Sequence, residues 1–180
     1  MSRYIAFLRA INVGGHTVKM DYLTKLFIAM DFTHVETFIA SGNVVFDSNA
    51  TNLATLEKKI AKHLHKELGY EVATFIRTPI ELAAITTYQP FPKAAFEAAA
   101  AFNIAFLAQS PDEATVRKLM ALRTDIDDFH VQGREVYWLC RVKQSDSKFS
   151  NVVLEKTLGQ SATLRGISTL IKMAAKYPPQ

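Results

Sequence analysis

Apolar residues recur along this chain with two different periods, and the switches between them mark the elements. Arg3–Arg9 encloses a nearly unbroken apolar run, as expected of a strand covered on both faces. Leu23, Leu26, Phe27 and Met30 follow at the i, i+3, i+4, i+7 spacing of a helix face. Val35–Ala40 and Asn43–Asp47 are β-rich on either side of Ser41-Gly42, a tight-turn pair. Leu53, Leu56, Ile60 and Leu64 predict a second helix, stopped by Gly69, whose other side carries Lys58, Lys59, Lys62 and Lys66 as a solvated face. Val72–Ile76 reads as a strand, and Pro79 opens a short helix reaching Ile85.

This order, βαββαβ with a trailing helix, is ferredoxin-like, and the second half repeats it. Phe102–Ala108 is a strand, Pro111 opens a helix with Val116, Leu119 and Met120, and Phe129–Val131 and Glu135–Arg141 flank Gly133. Asn151–Leu158 is a helix closed by Gly159, Ala162–Leu164 a short strand and Ile167–Lys176 a last helix. The expected fold is α+β: two ferredoxin-like βαββαβ(α) repeats with antiparallel sheets, packed as one compact protein. The expected division is 1–88 for the first repeat, 89–100 for a proline- and alanine-rich linker, and 101–180 for the second.

Residue strings support the duplication. Ile5-Ala-Phe-Leu8 recurs as Ile104-Ala-Phe-Leu107, an offset of 99 (104 − 5). Phe38–Phe46 aligns with Phe129–Tyr137 at an offset of 91 (129 − 38), which leaves eight extra residues (99 − 91) in the first half. Their simplest location is Ala10–Val18, expected to be an irregular surface loop longer than its counterpart near Gln109-Ser-Pro111. Phe7, Leu26, Phe27, Val45, Leu56, Ile60, Phe106, Leu119 and Val136 are the expected core.

Composition narrows the class without naming a reaction. A chain of 180 residues with 49% hydrophobic and 21% charged residues reads as an ordinary globular protein. The N-terminal apolar run is too short for a signal peptide, and Cys140, the single cysteine, excludes an internal disulfide; a cytoplasmic location is expected. The net charge of +4 mildly favours anionic partners.

Three separated motifs carry a resemblance that spans nearly the whole chain: Ile5-Ala-Phe-Leu-Arg-Ala-Ile-Asn-Val-Gly-Gly15 followed by Val18-Lys-Met20, then Ser41-Gly-Asn-Val-Val-Phe46, and Ser147-Lys-Phe-Ser-Asn151. In these the chain resembles the bacterial group known as domain-of-unknown-function family 1697, which implies no established activity. Two departures stand out. Ala10 occupies a position where glycine is usual, and Arg165-Gly-Ile-Ser-Thr169 replaces a typical Arg-Asn-Trp-Asn-Thr segment, so Gly166, Ile167 and Ser168 depart from the pattern.

The familiar catalytic motifs are missing. Gly14-Gly15 is not a Walker loop or a dinucleotide-binding turn, and Ser145-Asp-Ser-Lys148 matches a lysine-activated serine only in spacing. His63 and His65 point about 200° apart on a helix and cannot share a metal, and Asp125, Asp127 and Asp128 read as a solvated strand entry. No metal or cofactor is expected, and whether a reaction occurs stays open.

One constellation remains. In a βαββαβ unit the loop after the first strand and the hairpin between the second and third lie at the same sheet end. That gathers Arg9, Asn12, Gly14, Gly15 and Lys19 with Ser41 and Asn43 where a helix begins, a setting suited to phosphate or carboxylate. Lys148, Ser150, Asn151 and Arg165 gather at the opposite end of the second repeat; antiparallel halves would bring both groups into one cleft. The expected function is binding of an anionic, phosphate-bearing ligand there. RNA binding by tandem recognition domains is the alternative, although the strand Asn43-Val-Val-Phe-Asp47 lacks their aromatic motif. A scaffold without a small-molecule site is the third, and would carry a large exposed apolar patch. A small anionic ligand is thus the expected partner, nucleic acid the less favoured one, with no membrane and a monomer or homodimer.

Overall fold

Four short strands build each of two sheets. The computed structural model describes residues 1–12, 14–39 and 42–180, and the chain divides into two units. Unit 1 is Met1–Ala84 with Met173–Gln180, and unit 2 is Ile85–Lys172.

In unit 1, β1 (Ser2–Leu8), β2 (Thr33–Thr37), β3 (Asn43–Ser48) and β4 (Thr74–Arg77) form an antiparallel sheet in the order β2-β3-β1-β4. Tyr4, Ala6, Leu8, Val44, Phe46 and Ile76 pack against α1 (Met20–Ile28) and α2 (Leu53–Leu68) through Leu23, Phe27, Leu56, Ile60 and Leu64. The alternate residues Ile5, Phe7, Val45, Phe75 and Arg77 occupy the opposite face and are buried as well. Consecutive apolar residues in the strands have this physical cause: neither face meets water. The ends of α2 follow from its sequence: Asn52 accepts from the Thr55 amide at 2.9 Å, and Gly69 closes it at φ 81°. The trailing helix α3 (Pro79–Thr87) runs from unit 1 into unit 2.

Unit 2 repeats the plan with β5 (Ala101–Leu107), β6 (Asp127–Gln132), β7 (Glu135–Cys140) and β8 (Ala162–Gly166) in the order β6-β7-β5-β8. Ala105, Leu107, Val136, Trp138 and Cys140 pack on α5 (Glu113–Met120) and α6 (Asn151–Leu158), while Ile104, Phe106, Tyr137, Leu139 and Arg165 are buried on the other face. The last helix, α7 (Ile167–Lys176), ends in unit 1, where Met173 and Tyr177 are buried. All nine expected core residues are buried.

The stretch expected as a linker contains a helix, α4 (Lys93–Glu97), with a Lys93–Glu97 ion pair along one turn. Two expectations are corrected. β2 stops at Thr37 rather than Ala40, and Ile39 beyond it adopts a left-handed φ of 50°; Ala40 itself lies outside the described residues. The repeat alignment is also one residue out. Ile5 lies opposite Val45 and Ile104 opposite Tyr137, so the offset there is 92 (137 − 45) and the first half carries seven extra residues (99 − 92). The paired bonds from Leu8 N to Gly42 O and from Leu107 N to Arg134 O fix the same register. The extra length is shared: the β1–α1 loop is longer than the β5–α5 loop, and the β2–β3 turn is longer than the Gly133-Arg134 turn.

Candidate functional site

The β1–α1 loop is held at its base and exposed at its tip. Arg9 N donates to Ala73 O at 2.9 Å, and the Tyr70 hydroxyl donates to Ile11 O at 2.9 Å. Ile11 is buried beneath the β2–β3 turn: a Cβ added at Gly42 (φ +76°) would meet Ile11 Cγ2 at 2.8 Å and Leu8 Cβ at 3.0 Å. Asn12 Oδ1 accepts from Val18 N at 2.7 Å and so closes the loop. Gly14, Gly15, His16 and Thr17 are exposed between those anchors; His16 stacks on Tyr70, with ring centroids 3.8 Å apart. Burial at this contact pushes the Tyr70 hydroxyl above its ordinary pKa. Val13 lies outside the described residues.

Gly14 and Gly15 sit at φ 63° and 83°, with open space where a side chain would be, so the left-handed backbone alone explains their identity. Ala10 is also left-handed, at φ 55°. The glycine usual there in the resembling family suits that geometry, and this chain holds it with a residue that strains to adopt it.

The loop leads into α1, whose N-cap position is the exposed Lys19, a side chain that cannot accept a hydrogen bond. Three other helices start differently: Asn52, Asp112 and Ser150 each cap with a side-chain oxygen. Asn43 is buried and donates from Nδ2 to Phe38 O at 3.0 Å, bracing the hairpin turn. Ser41 lies outside the described residues. Arg9, Asn12, Gly14, Gly15 and Lys19 all belong to the β1–α1 loop of unit 1, and Asn12 and Asn43 serve the backbone of the loop and of the hairpin.

In unit 2 the Ser147–Asn151 segment is a clasp. Ser147 Oγ donates to Asp127 Oδ2 at 2.7 Å, and Trp138 Nε1 donates to Asp127 Oδ1 at 2.8 Å. Asp127 is thus buried and hydrogen-bonded, where the sequence predicted a solvated strand entry. Phe149 packs on Phe129 and Trp138, with centroids 4.4 and 4.9 Å away. Ser150 accepts from Val153 N at 3.3 Å as the cap of α6, and Asn151 Nδ2 donates to Ala162 O and Glu155 Oε1. Lys148 is the one exposed member of this segment.

Arg165 is buried on β8, donating from Nη1 to Thr163 Oγ1 and Leu164 O, both at 2.8 Å; burial pushes its pKa down to about 10. A second buried arginine, Arg77, went unnoticed in the sequence. It donates from Nη1 to Ile76 O at 2.8 Å and lies opposite Ile5, as Arg165 lies opposite Ile104. The two arginines lie 72 (77 − 5) and 61 (165 − 104) residues from the repeated isoleucines, so no common spacing in the sequence marks the pair. Among the described residues no group of three His, Cys, Asp or Glu side chains is placed to hold a metal ion, and no helix is long and apolar enough to cross a membrane.

A family model described as a protein of unknown function (DUF1697) matches residues 1–137. No curated protein matches the chain. The solved structure of the conserved bacterial protein SP0830 from Streptococcus pneumoniae is similar over 99% of each chain, with a TM-score of 0.78 and 21% identity. At that identity the likeness shows the fold alone.

Proposed function

For a chain that belongs to the DUF1697 family of proteins of unknown function, we propose the binding of a small anionic, phosphate-bearing ligand at the β1–α1 loop. The observation that carries this reading is the start of α1. Its first-turn amides have no side-chain acceptor at the N-cap, and the loop that leads into it carries Arg9, Lys19 and two left-handed glycines. Unpaired N–H groups and the positive end of a helix dipole attract anions, and a guanidinium and an ammonium add charge. Asn12 supports the site by holding the loop closed on Val18.

Inorganic phosphate is the probe. Titration of the ¹⁵N-labelled protein should shift the amides of Gly14, Gly15 and residues 20–22 saturably, and Lys19→Ala should weaken binding about tenfold without changing the melting temperature. Shifts spread evenly over the surface, or binding unchanged in Lys19→Ala and Arg9→Ala, would overturn the reading. RNA binding draws no comparable support, since β1, β3, β5 and β7 are buried on both faces and offer no open stacking platform.

A further inference from the structure

Unit 2 contains a cavity of about 500 Å³ that is more enclosed than two cavities of unit 1 beside α2. Tyr88, Phe91, Phe96, Phe102, Ile167 and Ile171 line it. Phe91 and Phe96 both meet Phe102 edge-on, at interplanar angles of 83° and 79° and centroid distances of 6.0 and 5.1 Å. Tyr88, Phe96 and Ile171 are 37%, 46% and 50% exposed, so three large apolar side chains left in contact with water converge on one concavity. Isolated exposed apolar residues need no explanation; a cluster lining a cavity of ligand size does.

The electrostatics of the lining are equally specific. Lys93 and Glu97 are its only charged residues, and they pair with each other at 3.5 Å, so the rim is neutral. The Tyr88 hydroxyl is engaged by His130 Nε2 at 2.9 Å, which holds the tyrosine in place. The cavity is also particular to its unit. Phe102 lies opposite Leu139 where the equivalent pair in unit 1 is Arg3 opposite Asp47, and α4, which supplies Phe96, follows α3 in the stretch read as a linker.

From this lining we infer that the cavity is a binding site for a neutral, planar aromatic small molecule. Rings set edge-on around Phe102 favour an aromatic guest over a flexible chain, because aromatic pairs prefer tilted and edge-to-face contacts. The cavity volume falls in the range of small-molecule pockets. A charged guest would leave its ion unpaired against phenylalanine and isoleucine.

The probe is 6-propionyl-2-dimethylaminonaphthalene, a neutral two-ring fluorophore, with 1-anilinonaphthalene-8-sulfonate as its anionic counterpart. The neutral dye should bind saturably at one site with a blue-shifted emission, and the sulfonate about tenfold more weakly. In the unsubstituted ¹⁵N-labelled protein its largest shifts should fall in residues 88–102 and 167–171. Phe96→Asp and Ile171→Asp, on different helices and both half-exposed, should each weaken binding about tenfold or more. Absence of saturable binding, shifts elsewhere in the protein, a preference for the sulfonate, or affinity unchanged in folded Phe96→Asp and Ile171→Asp would each overturn the inference. The phosphate titration is a separate measurement on a separate unit.

Discussion

Glu36 and His130 occupy the same place in the two sheets. Glu36 lies opposite Val45 and His130 opposite Tyr137, and Val45 and Tyr137 each pair with the isoleucine of the repeated Ile-Ala-Phe-Leu string. Each unit adds a tyrosine just beyond a trailing helix. In unit 1 Tyr177 packs on Phe38 while Lys176 pairs with Glu36; in unit 2 Tyr88 packs on Tyr137 and bonds to His130. One sheet position over, Arg3–Asp47 in unit 1 becomes Phe102–Leu139 in unit 2. The duplication has kept register and burial, and has exchanged charged pairs for neutral or apolar ones. At these equivalent positions the ion pairs Glu36–Lys176 and Arg3–Asp47 thus belong to unit 1, and the aromatic cavity to unit 2.

The largest test sets Phe46 against Trp138, equivalent by register and both fully buried. Truncating either to alanine should cost about 3–5 kcal/mol in denaturant unfolding. Trp138→Ala should cost the more, because it also strips a donor from the buried Asp127. Equal losses would mean that the Asp127 clasp adds nothing to the unit 2 core.

Next come the two hairpin glycines. Gly42→Ala should destabilise by about 2–3 kcal/mol, through left-handed strain and collision with Ile11 and Leu8. Gly133→Ala, at φ 58° with its nearest neighbour 3.8 Å away, should cost only about 1 kcal/mol. If the two cost the same, the turn of unit 1 does not rest on its loop as described.

Acid should separate the units too. The Arg3 guanidinium, helped by His34, holds the Asp47 carboxyl below the usual carboxylate range. A depressed carboxylate contributes stability that is fully present above its unfolded pKa of about 3.9 and is lost as pH falls through the folded value. Stability should therefore drop by about 1 kcal/mol below pH ~4 from this pair. The double change Arg3→Phe, Asp47→Leu, which copies unit 2, should remove that component; an unchanged acid profile would assign it elsewhere. The smallest effect is Ala10→Gly, which should raise stability by about 0.5–1 kcal/mol by relieving the left-handed alanine.

Much of this architecture was legible because local and tertiary signals agreed. In α2 the leucine and isoleucine spacing and Gly69 both named the same helix, and the structure has it. The repeat alignment slipped because matching Gly42 with Gly133 forces a gapless reading through turns of different length. A slip of one residue in a strand exchanges its faces, so Phe46 was matched to Tyr137 instead of Trp138. α4 was missed because five residues give too short a period, and its Lys93–Glu97 spacing was the remaining clue. At the site, residue types were informative but their partners were not. Asn12, Asn43, Ser150 and Asn151 have the chemistry of ligand contacts, yet their hydrogen bonds go to backbone that only the folded chain brings near.

The division of the chain also fixes an order of events during synthesis. Unit 2 is one continuous stretch, Ile85–Lys172, whereas unit 1 takes in Met173–Gln180 across the whole length of the other. The ribosome therefore makes the body of unit 1 first and delivers its remaining segment, with the buried Met173 and Tyr177, only after every residue of unit 2. The unit begun first is completed last, and until then the nascent chain carries its sheet without the helix end that belongs to it.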